Sequence, residues 1–462
     1  MVFSSMTFLP LFLPMVLLLY VLARGTGAKN AVLLTFSLLF YAWGEPKWIF
    51  VMLLTVSVNY ICGLVLDKSQ NQSVRTLAMV TGVTLSLGFL VYFKYFGFFS
   101  DVVMDLLGQK NPFVKPALPI GISFYTFQVL TYTVDVYRRK VPVQKSYTRL
   151  LLYVSFFPQL IAGPIVNYTD ISGSLGARRI ETEDVFEGFL RFFIGFSKKV
   201  LLANTCGGIV DKLVGSDLSV AGSWLLAVSF AFQIYFDFSG YSDMAIGMGR
   251  IFGFTFFENF NYPYISKSVT EFWRRWHISL GTFFRDYVYI PLGGNRVSLA
   301  KNIRNILIVW LLTGFWHGAS WNFMVWGIYY GILLLAEKFL LKNIKAKLPA
   351  VINVALTLFL VLIGWVFFYY ESLGDGLSHL GVMFGIAGAP LSDPAAVYQF
   401  KHNLVFLAAA ALASFPWKQL SLLRRWGDRI GWLRPVVITA LFLLALAMIV
   451  TQSYNPFLYF RF

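Results

Sequence analysis

The sequence predicts an all-helical protein that crosses a lipid bilayer many times, and its composition and its long apolar runs predict this class. Of the 462 residues, 58% are hydrophobic and only 13% are charged, whereas a soluble domain is nearer half apolar and a quarter charged. Many runs approach the roughly 20 residues that a helix needs to cross a bilayer. Only helices and closed barrels satisfy their backbone in lipid, and these runs are too long for barrel strands.

The apolar runs extend along nearly the whole chain and predict about 10–12 spans. The shorter runs predict re-entrant or partly submerged segments. No repeat of fixed period and no appended soluble domain interrupts them, so a single membrane domain over residues 1–462 is expected. The runs cover residues 6–23, 30–43, 48–66, 76–93, 118–134, 150–165, 186–210, 221–237, 303–316, 321–337, 350–370, 404–416 and 435–453.

The net charge of +16 indicates cytoplasmic loops and not a nucleic-acid partner, because Lys and Arg concentrate on the cytoplasmic side of membrane proteins. Basic clusters lie at 138–145, 267–304, 338–347 and 418–434, whereas the loop 371–399 has no Lys or Arg. The sequence therefore predicts 338–347 and 418–434 inside and the loop outside. It leaves the topology of 95–220 open.

One stretch, EFWRRWHISLGTFFRDYVYIPLGGNR (271–296), gathers an unusual number of charges. Placed on a helical wheel, residues 271–287 separate into a polar and an apolar face, with His277 at the edge of the apolar face. Glu271 and Arg275 stand four residues apart, which is the favourable order for an ion pair. We expect one amphipathic helix in the membrane interface, ended by the Pro and Gly residues that follow.

The charge of this region allows two interpretations. Residues 267–304 contain seven basic and two acidic side chains. An interfacial anchor with an incidental histidine is the first interpretation. The second is a basic surface that binds anionic lipid, a phosphorylated ligand or an acidic carrier protein.

The stretch TGFWHGASW (313–321) places a second histidine, His317, inside an apolar run. Arg304 and Lys338 flank the two runs, which predicts a hairpin that starts and ends in the cytoplasm. His317 is 13 residues past Arg304, or about 20 Å of helix rise, which is past the middle of a roughly 30 Å core. Such a residue is either a proton acceptor in a functional site or a buried histidine that bridges helices. Gly314 and Gly318 permit close backbone approach or a helix break.

A polar island, YFDFSGYSDMAIG (235–247), interrupts another apolar region, and Gly240 within it permits a break. Asp237 and Asp243 would be about 120° apart on a continuous helix, so they would not form a paired-carboxylate site. The island is either a helix end capped by Asp and Ser or the polar lining of a passage through the bilayer. Weaker features are Lys198 and Lys199 in an apolar context, broken helices in 118–128 and 158–165, and two histidines, His379 and His402, expected at the surface.

Seven motifs in matching order resemble the membrane-bound O-acyltransferase family, in its branch of bacterial alginate O-acetyltransferases. The resemblance covers about residues 1–340, and the apolar helices at 350–453 carry no motif. The motifs are GISFYTFQ (121–128), AGPI (162–165), YFDFSGYSDMAIG (235–247), ENFNYPYIS (258–266), TEFWRRWHISL (270–280), LGGNR (292–296) and WHGA (316–319).

The resemblance implies a bundle of about 11 transmembrane helices, with re-entrant and interfacial helices, around a central funnel or tunnel. It implies a multi-pass protein of the cell inner (cytoplasmic) membrane with no bound cofactor and no metal. The acyl donor would be acetyl-CoA or an acyl-carrier thioester. The acceptor would be a hydroxyl of an exported polysaccharide, alginate-like or another surface glycan. Transfer would be direct or through an extracytoplasmic acetyltransferase- or esterase-like partner.

The resemblance and the charge pattern together give expected roles to residues. The deep histidine of the family matches His317, the expected general base, and its second histidine matches His277, which would orient the donor or gate the tunnel. Arg274, Arg275 and Arg285 would hold donor phosphates or a carrier. Further candidates for the donor site or the tunnel lining are Trp276, Trp316, Asp237, Ser239, Tyr241, Asp243 and Asn295.

Two alternatives stay open. One is an acyltransferase that depends on a carrier protein, as in the D-alanylation of teichoic acid. The other is a transporter or flippase with the histidines as a proton relay. Inverted repeats would favour transport, and the sequence shows none.

Overall fold

A computed structural model describes residues 1–161, 163–214, 218–341, 347–417, 431–451 and 458. All regular secondary structure in this part of the chain is helical, which confirms the predicted class. The α-helices are Leu13–Leu22, Gly25–Gly44, Ile49–Lys68, Gln72–Leu90, Phe96–Leu106, Ile122–Tyr137, Tyr147–Ser155, Phe157–Leu160, Tyr168–Gly176, Thr182–Ser197, Asn204–Val214, Val220–Ile251, Val269–Arg275, Ile278–Phe284, Leu299–His317, Trp321–Phe339, Ala350–Tyr369, Leu373–Met383, Pro394–His402, Leu404–Ala413 and Leu433–Thr451. Short π-helices occupy Phe8–Phe12, Val91–Tyr95, Lys198–Ala203 and Arg285–Tyr289, and a 3-10 turn occupies Pro263–Ile265.

Within the described ranges, five helical segments are long and apolar enough to cross a membrane. They support a multi-pass membrane protein, whereas the count of about 11 spans stays a prediction. Parts of two predicted cytoplasmic clusters, 342–346 and 418–430, lie outside the described residues. The five segments are Ile49–Lys68, Gln72–Leu106, Val220–Ile251, Ala350–Tyr369 and Leu433–Thr451.

The chain divides into two compact units. The first comprises Met1–Phe192 and Met244–Phe257, and the second comprises Phe193–Asp243 and Glu258–Phe462. In the first unit, the buried amide of Asn59 donates to Ser86 Oγ at 2.7 Å and accepts from Thr133 Oγ1 at 2.6 Å. These bonds join three neighbouring helices, because a buried amide must find polar partners.

The second unit contains every predicted site residue and also a helical hairpin. The helices Leu299–His317 and Trp321–Phe339 pack side by side, as the flanking charges predicted. A Cβ on Gly314 would overlap the backbone of Phe323, and one on Gly318 would overlap the ring of Phe323. The first helix ends at His317, so the two glycines provide the close approach and the break that the sequence allowed.

The polar island at 235–247 is neither a helix end nor a break. The helix Val220–Ile251 runs through it without interruption, so the expectation of a capped helix end is wrong. Gly240 has a different purpose, because a Cβ there would lie 2.7 Å from the carbonyl oxygen of Gly195. Close packing of two backbones, not a change of direction, explains this glycine.

The outcome differs between the two histidines expected at the surface. His402 is exposed and stacks on Tyr398. His379 is 3% exposed, and its Nδ1 lies 2.9 Å from the hydroxyl of Tyr370, so its predicted exposure is wrong. The helix Leu373–Met383 packs against Ala350–Tyr369, and the imidazole lies beside the ring of Tyr370, with a centroid separation of 5.5 Å.

The segment 158–165 is broken, as its Pro and Gly residues predicted. The helix Tyr147–Ser155 ends before it, and only the short helix Phe157–Leu160 follows. Ala162 lies outside the described residues.

Candidate active site

The charged stretch at 271–287 is not one continuous helix. The helix Val269–Arg275 ends, His277 adopts a left-handed conformation with φ 45° and ψ 54°, and a new helix, Ile278–Phe284, begins. The segment 259–261 supplies the competing hydrogen bonds: Ile278 N–H donates to Asn259 O at 3.0 Å, and Asn261 N–H donates to Arg275 O at 2.9 Å. The predicted helix is wrong at this point because partners from another segment replace helical ones.

The two faces that the helical wheel predicted are nevertheless present. Phe272, Trp276 and Leu280 are buried, whereas Arg274 and Arg285 are exposed. The predicted pair of Glu271 and Arg275 forms at 2.8 Å. Phe272 and Trp276 belong to one large hydrophobic core, and Leu280 of the second short helix is buried as well, so the apolar face persists on both sides of the break.

A buried carboxylate anchors the start of the first short helix. Glu337 accepts from the backbone N–H groups of Val269 and Thr270 at 2.7 and 2.8 Å. These are donors at a helix N-terminus that would otherwise have no partner, and a carboxylate there is also favoured by the helix dipole. Glu337 therefore fixes the helix that carries Arg274.

His277 is 2% exposed and lies outside the five candidate spans. Its Nδ1 is 3.2 Å from Asn259 Oδ1, and its ring lies against Phe238 with a centroid separation of 4.7 Å. Burial lowers the pKa of His277 to about 3, because a buried site disfavours the charged imidazolium. At neutral pH this imidazole is uncharged.

A cleft of about 880 Å³ opens beside His277. Its walls are mainly aromatic and aliphatic, with Trp273, Trp276 and Trp310 among them. Three cationic side chains also line it, namely Arg274, Arg285 and Lys338. We call it the basic cleft and define it by these three cations together with His277.

His317 lies among aromatic rings at the end of its helix and is half-buried. Its ring centroid is 5.2 Å from that of Trp326 and 5.0 Å from that of Phe368. Trp316 lies next to both histidines, with centroid separations of 6.0 Å to His277 and 4.9 Å to His317. The structure thus brings the two predicted histidines to the same tryptophan, and His277 also faces the basic cleft.

The two aspartates of the polar island form ion pairs with consecutive lysines. Asp237 lies 2.7 Å from Lys199 Nζ, and Asp243 lies 2.7 Å from Lys198 Nζ. The π-helix Lys198–Ala203 carries both lysines. The sequence marked these lysines as unusual but did not pair them, because the pairing depends on a contact between two helices.

The remaining predicted site residues lie outside the basic cleft. Ser239 and Tyr241 are each 2% exposed and do not line the basic cleft. Arg275 donates to Glu271 and to Asn261 O and does not line it either. Asn295 is exposed and follows Gly294, whose carbonyl oxygen accepts from Asn302 at 2.9 Å.

Sequence reasoning missed three residues of the site. Asn259, which contacts His277, lay inside the quoted motif at 258–266 but was not singled out. Lys338 was counted only as a marker of topology, although it lines the basic cleft. Glu337 precedes it, and its role at a helix N-terminus has no signal in local spacing.

These features define a helical membrane protein with a basic, aromatic-walled cleft beside a neutral histidine, and comparison with known proteins identifies its family. The model of the MBOAT, membrane-bound O-acyltransferase family matches residues 139–373. The chain belongs to this family and is a multi-pass membrane O-acyltransferase, as the motifs predicted.

Curated relatives extend the similarity over most of the chain. The probable alginate O-acetylase AlgI of Pseudomonas aeruginosa is 42% identical over 402 residues, which is 85% of this chain and 76% of the relative. The probable alginate O-acetylase AlgI of Pseudomonas putida is 38% identical over 490 aligned residues, which cover 100% of this chain and 100% of the relative. The peptidoglycan O-acetyltransferase of Helicobacter pylori is 30% identical over 518 residues, covering 100% of this chain and 98% of the relative.

Proposed function

We propose that this chain moves an acetyl group from a cytoplasmic thioester donor to a hydroxyl of an exported polysaccharide, directly or through an extracytoplasmic partner protein. The names of its relatives, which specify alginate and peptidoglycan O-acetylation, support the acetyl group and the class of acceptor. The observation that carries the proposal is the basic cleft, whose mainly aromatic and aliphatic walls carry three cations, one carboxylate and a neutral histidine.

The basic cleft suits a donor with a phosphorylated head and a long arm that combines methylene groups with amides. Arginine and lysine side chains bind phosphate oxygens by charge-assisted hydrogen bonds, and Arg274, Arg285 and Lys338 would do so here. Arg285 also pairs with Asp286 at 2.7 Å, and Lys338 donates to Asn302 at 2.6 Å. The tryptophan-rich walls suit the pantetheine arm. Acetyl-CoA has both parts, and an acyl-carrier protein presents the same arm through one phosphate, so the carrier-dependent alternative shares this chemistry.

The reaction requires a base for the incoming hydroxyl, and we assign that role to His317. Its neutral imidazole takes the proton of the hydroxyl as the oxygen attacks the thioester carbonyl. The C–O bond forms, the C–S bond breaks, and the imidazolium returns the proton to the thiolate that leaves. The product is an acetyl ester and a free thiol, and the histidine ends in its starting state.

His277 has a different role in this scheme. A general base works best when its pKa is near the working pH, and burial lowers the pKa of His277 to about 3. A neutral imidazole of this kind accepts a hydrogen bond well and holds a proton poorly. We therefore assign His277 to positioning the donor in the basic cleft.

The surrounding architecture in this proposal is a bundle of about 11 transmembrane helices around a funnel, in the inner (cytoplasmic) membrane. Trp316 lies next to both histidines and would line the passage between them. Asp237, Ser239, Tyr241 and Asp243 would contribute polar lining, with the lysine partners of the aspartates compensating their charge.

An acyl-transfer assay tests the proposed function. Membranes that contain the protein are supplied with labelled acetyl-CoA and a soluble or exported glycan acceptor. We expect release of free CoA and labelled glycan. Release of CoA without labelled glycan would assign the last step to a partner protein. Transfer only from an acyl-carrier thioester would favour the carrier-dependent alternative, and no transfer from either donor would contradict the proposal.

The cations of the basic cleft give a second expected result. Arg274→Gln and Arg285→Gln should each raise the KM for acetyl-CoA by about tenfold, because a lost hydrogen bond to a charged group is worth about 1.5–3 kcal/mol. Their kcat should change little. The matched control is Arg296→Gln, since Arg296 is exposed and does not line the cleft. An equal rise in KM for the control would remove the two arginines from donor binding.

A further inference from the structure

Asn259 is fully buried, and its side-chain oxygen has three hydrogen-bonding neighbours. Ser279 donates to Asn259 Oδ1 from its backbone N–H at 3.1 Å and from its hydroxyl at 2.9 Å. The third neighbour is His277 Nδ1 at 3.2 Å. The amide oxygen of Asn259 is therefore in contact with both His277 and Ser279.

The backbone N–H of Ser279 decides which end of the amide faces the histidine. A backbone N–H is only a donor, so the atom opposite it must be the amide oxygen and not the amide nitrogen. That oxygen only accepts. The Ser279 hydroxyl also lies 3.5 Å from His277 Nδ1, but it donates to Asn259 Oδ1 at the shorter distance of 2.9 Å. His277 Nδ1 bonds to the amide oxygen only when it carries a proton, which leaves the lone pair of the neutral ring on Nε2.

The other ring nitrogen is left with its lone pair available. His277 Nε2 is buried and has no hydrogen-bond partner within the described part of the chain. His277 is also part of the wall of the basic cleft. A buried acceptor without a partner is costly in a folded protein, and its position in the wall of the cleft makes a bound ligand a natural partner for it.

Asn259 also holds the backbone of the same histidine. Its carbonyl oxygen accepts from Ile278 N–H at 3.0 Å, across the break between the two short helices. His277 has φ 45°, a left-handed conformation that few non-glycine residues adopt. Such conformations persist where the surroundings enforce them and cluster at functional sites. One residue thus fixes both the main chain and the ring of His277.

We propose that Asn259 is a positioning residue that holds His277 in the Nδ1–H tautomer, so that Nε2 accepts a hydrogen bond from an amide N–H of the pantetheine arm of the acyl donor. The identity of this ligand rests on the proposed function, whereas the tautomer does not. The other charged side chains around the cleft are Arg274, Arg285, Glu337 and Lys338.

The tautomer is measurable without any activity. The chain has only four histidines, so ¹⁵N-histidine labelling of the full-length protein gives few signals, and the loss of one in His277→Gln assigns it. We expect a neutral Nδ1–H ring in the wild type at pH 7 that stays neutral to pH 5, because burial lowers its pKa. A wild-type signal with the proton on Nε2 would overturn the inference.

Two variants of Asn259 separate positioning from simple packing. Asn259→Leu removes the acceptor of the Nδ1 proton, so the ring of His277 should become a mixture of its two neutral tautomers. The KM for acetyl-CoA should rise by about tenfold or more, since each 1.4 kcal/mol of binding free energy is a factor of ten. Asn259→Asp keeps an acceptor oxygen and should restore the tautomer and most activity above neutral pH. Its negative charge raises the pKa of His277, so this variant should lose activity as the pH falls and Nε2 becomes protonated.

The control is Ser279→Ala, which removes the hydroxyl but leaves the backbone N–H that orients the amide. It should keep the wild-type tautomer and KM. If folded Asn259→Asp lost as much acyl-transfer activity as Asn259→Leu at every pH, the positioning role would be contradicted. A wild-type Nδ1–H signal without transfer from any donor would instead refute the proposed function and leave the tautomer assignment intact.

Discussion

His317→Ala should abolish acyl transfer while the protein still inserts and folds. A positioned general base contributes about 10²–10⁴-fold to a rate, and alanine cannot take the proton of the hydroxyl. The ring also packs between Trp326 and Phe368, so a modest loss of thermal stability should accompany the loss of activity. The measurement is the rate of CoA release from labelled acetyl-CoA at saturating donor.

The matched control for this variant is His402→Ala. His402 is exposed and stacks on one tyrosine, so its removal should leave the rate unchanged. A second variant, His317→Gln, keeps a polar side chain of similar length and should be as inactive as alanine. Transfer at half the wild-type rate or more in both His317 variants would exclude His317 as the base.

Lys199→Met should destabilise the protein severely. Lys199 and Asp237 are 1% and 2% exposed and lie 2.7 Å apart. Asp237 accepts from the backbone N–H of Leu458 as well, at 2.9 Å, and Lys199 donates to Asn204 at 2.8 Å. Removing one partner of a buried pair leaves an uncompensated charge, which costs about 3–5 kcal/mol. We expect a much lower Tm and a poor yield of folded protein in detergent.

A double variant tests whether the unpaired charge causes this loss. Lys199→Met combined with Asp237→Leu should recover much of the stability, because apolar groups of similar volume replace a buried pair at little net cost. The matched control is Lys198→Met, whose partner is Asp243 and whose side chain is 27% exposed. Lys198→Met should lose clearly less stability than Lys199→Met. A double variant as unstable as the sum of both single variants would rule out this explanation.

Local patterns in the sequence were sufficient for the class of fold and for parts of the site. Run length predicted membrane helices, and flanking charges predicted the hairpin of Leu299–His317 and Trp321–Phe339. The helical wheel predicted an apolar face in 271–287, on which Phe272, Trp276 and Leu280 are buried, and the ion pair of Glu271 and Arg275. The motifs around His277 and His317 predicted the family.

The same patterns did not predict the break at His277 or the uninterrupted helix through Gly240. The break depends on hydrogen bonds from the segment 259–261, and the glycine at 240 is explained by its close packing on the backbone of Gly195. Helical periodicity assumes that each backbone N–H bonds four residues back. It does not account for a carbonyl group of another segment that competes for the same N–H, or for a glycine that packs against the backbone of a neighbouring helix.

The sequence by itself thus determined which residues avoid water, where the charges gather and to which family the chain belongs, because these follow from composition and short-range spacing. Only the tertiary structure decided that Lys198 and Lys199 neutralise two aspartates and that Lys338 joins Arg274 and Arg285 around one cleft. It also decided which nitrogen of His277 is bonded. The physical reason is that hydrogen bonds and ion pairs act over about 3 Å, and which groups come that close depends on how whole helices pack.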